Sequence, residues 1–377
     1  MSHKLRICFV SPNGYPVLTG SRDISFVGGA EVQQALIATE LARRGHVVSM
    51  ISMDFGQLEG IHESGVRMLR MMAPGAGFPG IRFFHPLLSS LWKAMHEAEA
   101  DVYYQRCAGG LTGMVAGLAR AFRKGMVFAG ASDSDFDPKL PRIGLLRDRL
   151  LFRYGIRSVD KVVVQSERQL EMCRRSFGRN AVRINSCYGF EGAPAEHRGP
   201  IIWVGAVRPV KNASLFLEVA RRLPQYQFKL VGGSPVGSTE FESLREQASS
   251  IGNLTLTGHV PIAEVESHFD GASVLVNTSA TEGFPNTFMQ AWSRGMPTVS
   301  FFDAGAREGD AEIGKCVGNL DEMVGAIDDF KQSFRVWRSY GTRAARHFQG
   351  NFSISRSVDA YEHVFSEAIA SRKEFVW

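Results

Sequence analysis

Cysteine is scarce in this chain: five residues in 377, at positions 8, 107, 173, 187 and 316, with no CxxC pair among them. That scatter gives neither a disulfide framework nor a zinc site and reads as reduced thiols. Long apolar runs are also missing, since no stretch approaches the roughly 18 consecutive apolar residues that span a bilayer. The opening MSHKLRICFV runs straight into an expected strand, without the apolar core and small-residue cleavage site of an export leader, so a cytoplasmic location is expected. The ten histidines show no HxxxH or HxH arrangement. The one acidic pair that invites a metal is Asp133-Ser-Asp135. Gly28-Gly29 lacks the spacing of a GxGxxG loop and has no acidic ribose partner about 20 residues on, which argues against a dinucleotide oxidoreductase. Basic residues do not interleave with aromatics as a nucleic-acid platform; Arg149, Arg153, Tyr154 and Arg157 read as one helix face.

With 44% hydrophobic and 21% charged residues, the composition excludes a disordered, collagen-like or coiled-coil chain. The length suits two α/β domains. Charge is uneven along it. Residues 1–199 carry 26 Lys and Arg against 18 Asp and Glu, a net +8, while the other 178 residues carry 17 against 20, a net −3, consistent with the total of +5. The basic half reads either as a solvated face or as one that meets anionic lipid or an acidic substrate, which places the chain at the inner face of a membrane in the second case.

Periodicity supplies the organisation. Arg6–Val10 is a short apolar run ended by Ser11-Pro-Asn-Gly14, and after Gly28-Gly29 the apolar positions fall at helical spacing to Gly45. Further strands are predicted at Val47–Ile51, Val102–Tyr104, Met126–Phe128 and Lys161–Val164. A second series starts at Ile201–Gly205 and continues at 228–233, 254–256, 274–276 and 298–301, each separated by enough chain for a helix. Two Rossmann-like domains facing each other across a cleft are therefore expected: 1–190, 191–352, and a terminal amphipathic helix over 353–377 that returns to the first. In such sheets ligands gather at the carboxyl ends of the strands.

The most informative stretch is Asn277-Thr-Ser-Ala-Thr-Glu-Gly-Phe-Pro-Asn286, followed by Gln290 and by Gly295-Met-Pro-Thr298. A strand ends near Val276, and a helix opens near Pro285–Asn286 with its backbone N–H groups available to phosphate. Glu282 brings a carboxylate into the same crevice, an awkward neighbour for phosphate unless it accepts hydrogen bonds from a hydroxylated ligand such as a sugar. This run resembles the signature of the retaining, nucleotide-sugar-dependent glycosyltransferases of family 4, which have the GT-B fold. The family's second glutamate, eight residues after the first, is Gln290 here. The resemblance continues in Val204–Asn212, where Lys211 matches the lysine that neutralises the donor diphosphate and Arg208 stands in for an arginine usually found directly after the glycine, at Ala206. Gly258-His259-Val260 resembles the turn that reads the nucleotide base, and Gly28-Gly29 the glycine pair of the other domain.

The resemblance implies that Glu282 contacts donor-sugar hydroxyls, that Gln290 meets the ribose, and that Gly283, Phe284, Pro285 and Asn286 complete the donor site. It implies a UDP- or GDP-linked sugar as substrate with no cofactor required, and a saccharide or glycolipid acceptor in surface polysaccharide, lipopolysaccharide or glycolipid assembly. The catalytic set is then Glu282, Lys211 and Arg208, with the departing phosphate taking the acceptor proton. Arg and Lys with a helix N-terminus can neutralise a diphosphate alone, so metal independence is expected. A histidine carried by many relatives after the strand at Met126–Phe128 is absent. Asp133 and Asp135 stand there instead, either as acceptor-side carboxylates or as capping and Asx-turn residues. Two other readings stay open: an epimerase or hydrolase of nucleotide sugars on the same plan, and a non-catalytic scaffold that binds them.

Overall fold

The structure is a computed structural model that describes residues 4–19, 28–57, 59–189, 192–234, 239–280, 282, 284–308 and 310–373. The chain divides into two compact units. Unit 1 holds the described residues up to Cys187 together with those from Ile354 onward, and unit 2 holds Tyr188–Ser353.

Unit 1 is built on eight strands, β1 (Arg6–Val10), β2 (Val47–Ser52), β3 (Gly60–Ile61), β4 (Arg67–Arg70), β5 (Val102–Arg106), β6 (Gly125–Ala129), β7 (Lys161–Val164) and β8 (Val182–Arg183). Their order is β3-β4-β2-β1-β5-β6-β7-β8, parallel except for the β3–β4 pair. Helices α1 (Gly14–Thr19), α2 (Gly29–Arg43), α3 (Ser89–Ala98), α4 (Gly110–Ala121), α5 (Leu146–Ser158) and α6 (Glu167–Phe177) belong to this unit as well. Both faces of a parallel sheet are buried, which is why β1 reads as an unbroken apolar run. Cys8 and Val10 face the core with Leu91, Val115 and Phe152, while Ile7 and Phe9 face Ile37, Leu41 and Tyr104.

Unit 2 repeats the plan with β9 (Ile201–Val204), β10 (Phe228–Val231), β11 (Leu254–Leu256), β12 (Val274–Asn277), β13 (Thr298–Ser300), an antiparallel pair β14 (Arg307–Glu308) and β15 (Ala311–Glu312), and β16 (Lys315–Cys316). The main sheet is all parallel, in the order β11-β10-β9-β12-β13-β16. Its helices are α7 (Ala213–Arg222), α8 (Thr239–Ser249), α9 (Ile262–Val265), α10 (Asn286–Ser293), α11 (Leu320–Gln332) and α12 (Phe334–Asn351). The last helix, α13 (Ile354–Lys373), belongs to unit 1: Tyr361, Val364, Phe365 and Ala368 enter the core layer that contains Phe9 and Tyr104. Arg44 at the end of α2 fixes it, donating to Asp359 at 2.5 Å and to the Ser355 carbonyl at 2.8 Å.

In each unit the strand order reverses beside the first strand, between β1 and β5 and between β9 and β12. Crevices at the carboxyl ends of such strand pairs are where α/β sheets bind ligands.

Candidate functional site

The crevice of unit 2 is made by the loops that leave β9 and β12. After β9 the chain forms a single 3₁₀ turn, Pro209–Lys211, with Arg208 at its N-cap and exposed. Asn212 then takes φ +47°, a left-handed conformation that Asn tolerates well, and α7 begins. That kink turns Lys211 toward the loop after β12. The two loops are stitched together by backbone and hydroxyls: Ala280 N–H donates to the Val210 carbonyl (3.1 Å), and Thr278 Oγ1 donates to the Lys211 carbonyl (2.7 Å) while accepting from Trp203 Nε1 (2.9 Å). Within this frame Lys211 Nζ donates to Glu282 Oε1, which also accepts from Ser279 Oγ at 2.7 Å. Both partners of the ion pair are mostly covered, with side-chain exposures of 28% and 16%.

Behind Glu282 the chain enters α10 with Pro285 at the N-cap and Asn286 as the first helical residue. The expected helix start near Pro285 shifts by one position: Pro285 keeps extended angles (φ −69°, ψ 129°), which its ring accommodates. Phe284 anchors this entry by stacking on Phe352 with centroids 4.8 Å apart. Gly283 lies outside the described residues. Gln290, one turn into α10, donates its amide to Glu266 Oε1 at 2.6 Å. Glu266 Oε2 in turn accepts from Tyr188 OH and from Arg294 at 3.2 Å, and Arg294 donates to Asp270 at 2.9 Å. Burial opposes the Arg294 charge, but Tyr188, Asp270 and Glu266 more than offset it and keep its pKa above the usual value. This polar network escaped the sequence reading. An arginine at a helix C-cap is normally solvated, and the partners of Arg294 lie 24 and 28 positions away on Asp270 and Glu266.

The third wall is the turn after β11. Gly258 (φ +73°) bridges Gly232 (φ +132°), and a Cβ on Gly232 would lie 1.9 Å from the Gly205 carbonyl oxygen. Only glycine lets these loops approach so closely. His259 is exposed at this turn and Val260 half-buried.

Unit 1 presents its own loops. Gly28 is the N-cap and Gly29 the first residue of α2. Asp133 and Asp135 sit in a 3₁₀ turn after β6, and their carboxylates go to separate partners. Asp133 pairs with Arg168 at 3.0 Å. Asp135 is buried, accepts from Ala131 N–H (2.7 Å) and Ser132 N–H (3.2 Å), and completes a capping box with Ser132. Desolvation raises its pKa despite those donors. Asp135 thus holds a turn, and its Oδ2 is engaged by the backbone. Among the described residues no three His, Cys, Asp or Glu side chains gather to hold a metal ion, and no helix is long and apolar enough to cross a membrane.

Two family models match this chain, Glycosyltransferase Family 4 over residues 27–188 and Glycosyl transferases group 1 over residues 198–332. The chain belongs to the family 4, group 1 glycosyltransferases. Its fold is that of GT-B glycosyltransferase structures: sucrose-phosphate synthase from Thermosynechococcus elongatus superposes with a TM-score of 0.75 at 18% identity, over 97% of this chain and 99% of that one. Anabaena HepE, solved in complex with UDP-glucose, matches with a TM-score of 0.71 at 14% identity, over 97% of this chain and 100% of that one. Among curated glycosyltransferases, the O-antigen biosynthesis enzyme WbnH of Escherichia coli is 26% identical over 165 residues, covering 44% of this chain and 46% of WbnH. The chain therefore spans about half the length of the curated relatives it matches.

Proposed function

We propose that this glycosyltransferase transfers a sugar, with retention of anomeric configuration, from a nucleoside diphosphate to a hydroxyl of a saccharide or glycolipid acceptor in surface-polysaccharide or glycolipid assembly. One observation carries the reading: an ammonium and a carboxylate, Lys211 and Glu282, are joined on the loops of the two strands that flank the switch point of unit 2. A diphosphate needs the first and a sugar hydroxyl the second. When the donor arrives, Lys211 turns from Glu282 to the diphosphate, with Arg208 beside it in sequence and the N-terminus of α10 close behind. These groups stabilise the charge that develops on the leaving group, the step where preorganised electrostatics contributes most. Glu282, held by Ser279, orients the sugar. No general base is assigned, and the departing phosphate takes the acceptor proton. In this scheme no metal is required.

WbnH is named for O-antigen biosynthesis and HepE was solved with UDP-glucose, which supports a nucleotide sugar and a surface-glycan acceptor. At the ribose, Gln290 occupies the position of the family's second glutamate, and Glu266, bonded to it at 2.6 Å, returns a carboxylate to the same place. The test is calorimetric titration of wild type and Lys211→Ala with UDP, GDP and ADP, with and without magnesium. One nucleotide is expected to bind without metal and to lose about tenfold or more on loss of the ammonium, the scale of a charge-assisted hydrogen bond. Failure of all three to bind refutes the donor site, and tight binding without turnover leaves a binding protein.

A further inference from the structure

Strand β5 ends on a buried arginine. Arg106 is its last residue, 5% exposed, at the carboxyl edge of the unit 1 sheet beside the β1–β5 reversal. Tyr104, two residues earlier, faces the layer of Ile37 and Tyr361, so alternation along the strand turns Arg106 to the same face. The guanidinium lies among the hydroxyls of Tyr104 and Tyr361 and the thiols of Cys107 and Cys187, with the Tyr104 hydroxyl accepting a hydrogen bond from it. Burial raises the pKa of all four groups, so each is neutral at pH 7. Among the described residues no Asp or Glu pairs with Arg106, and its Nε has no hydrogen-bond partner. Arg294 in unit 2, just as buried, has both Glu266 and Asp270. An arginine cannot shed its proton, and a buried charge without a counter-charge is strongly unfavourable.

A buried acceptor belongs to the same place. Val10 of β1 pairs with Gln105, so Ser11 lies beside Arg106 and, by the same alternation, on the same face. Gln34 of α2 is 3% exposed and donates its amide to Ser11 Oγ at 3.0 Å, but its Oε1 accepts no hydrogen bond. The adjacent Gln33 uses both ends of its amide on the backbone of Cys187, donating and accepting at 2.8 Å. Buried polar side-chain atoms are paired in the large majority of cases. Three are not among the described residues, and two of the three, a cationic donor and a neutral acceptor, belong to this strand pair and the helix over it.

We propose that Arg106 and Gln34 recognise the acceptor, and that this acceptor is a sugar carrying an oxyanion, its carboxylate or phosphate on Arg106 and a neighbouring hydroxyl donating to Gln34 Oε1. Calling the ligand the acceptor rests on the transferase reading; the anion site itself does not. An oxyanion supplies the counter-charge and takes paired N–H donors from a guanidinium. A water serves the Nε–H and the Gln34 oxygen but leaves the charge unneutralised. The donor diphosphate is assigned to Lys211 and Arg208 in unit 2, so the anion at Arg106 belongs to the other substrate. The position agrees with the rule that α/β sheets bind ligands where the strand order reverses. Such a site discriminates, because a neutral sugar of the same shape leaves the guanidinium unpaired.

Calorimetric titration of the full chain with glucose 6-phosphate, glucuronate and glucose tests it without turnover. At least one of the two acidic sugars is expected to bind about tenfold or more tightly than glucose, and which one binds tells phosphate from carboxylate. Arg106→Met, which keeps the reach of the side chain without its charge, should lose that binding by about tenfold or more, Arg106→Lys should restore part of it, and Gln34→Leu should weaken it several-fold. Thermal melting checks that each variant folds; if Arg106→Met does not, the wild-type titrations and Gln34→Leu still decide. The proposal is overturned if neither acidic sugar binds better than glucose, or if binding is unchanged in both Arg106→Met and Gln34→Leu. It is equally overturned if UDP displaces the acidic sugar, which would place the anion in the donor site. Acidic-sugar binding in a protein that binds no nucleotide refutes the donor reading alone, and the reverse result refutes this inference alone.

Discussion

Replacing Glu282 with Gln separates its two proposed tasks. In the ligand-free protein its carboxylate holds Lys211, so a bare nucleoside diphosphate must first break that pair. Glutamine keeps the shape and the hydrogen bond from Ser279 but releases the ammonium. The pair is neither fully buried nor free in solvent, so its rupture costs on the order of 1 kcal/mol, or about fivefold in affinity. The nucleoside diphosphate alone should therefore bind Glu282→Gln up to about fivefold more tightly than wild type. The nucleotide sugar should behave in the opposite way. Losing a charged acceptor for sugar hydroxyls costs about 1.5–3 kcal/mol, which outweighs the gain and leaves binding several-fold to about thirtyfold weaker. Parallel calorimetric titrations with the two ligands give the ratio directly, and turnover with the same donor should fall further. If both ligands weaken equally, Glu282 merely holds the loop in place and the assignment of sugar recognition fails.

Glu266→Ala should leave the fold intact but weaken nucleoside diphosphate more than inorganic pyrophosphate, since only the former has a ribose; equal effects would refute the role given to the Gln290–Glu266 pair. Gly113→Ala should destabilise unit 1 by roughly 2–3 kcal/mol in a denaturant titration, because its Cβ would lie 2.2 Å from the Leu151 carbonyl oxygen and force α4 from α5. Burial pushes the thiols of Cys8, Cys107 and Cys187 up to about 12. Folding therefore favours their protonated forms, a contribution present in full below the ordinary thiol value of 9.0 and lost as pH rises toward about 12. Unfolding midpoints should fall with pH across that window, less steeply in Cys8→Ala/Cys187→Ala, and in native protein a maleimide should label the exposed Cys316 first.

The strands that position the site were legible because a parallel sheet buried on both faces demands continuous apolar runs, as at Arg6–Val10, Lys161–Val164 and Ile201–Val204. The strands toward the edges of the unit 1 sheet were not. Arg67–Arg70 is flanked by charges because its ends leave the core, and β3 and β8 are two residues each, too short for any period to emerge. At the site, Lys211 and Glu282 could be singled out one by one, but their ion pair spans 71 positions and depends on the left-handed turn at Asn212. Asp135 was open between an acceptor-side carboxylate and a turn residue; its hydrogen bonds to Ala131 and Ser132 are those of a turn residue.

Helix α13 closes one face of the unit 1 sheet, its backbone at Ala368 so near that a Cβ on Gly125 would lie 3.0 Å from the Ala368 carbonyl oxygen. The described residues of unit 2 are all made between Cys187 and that helix. During synthesis the order of completion is therefore inverted: at about 5–20 residues per second, the strands of unit 1 wait roughly 10–40 s with the layer around Phe9 and Tyr104 covered by α2 but not by α13, while unit 2 can finish first. The helix that makes the first unit whole is translated only after the described residues of unit 2, so a ribosome that stalls within Tyr188–Ser353 releases a product with an incompletely covered apolar sheet face, a natural substrate for chaperones and proteases.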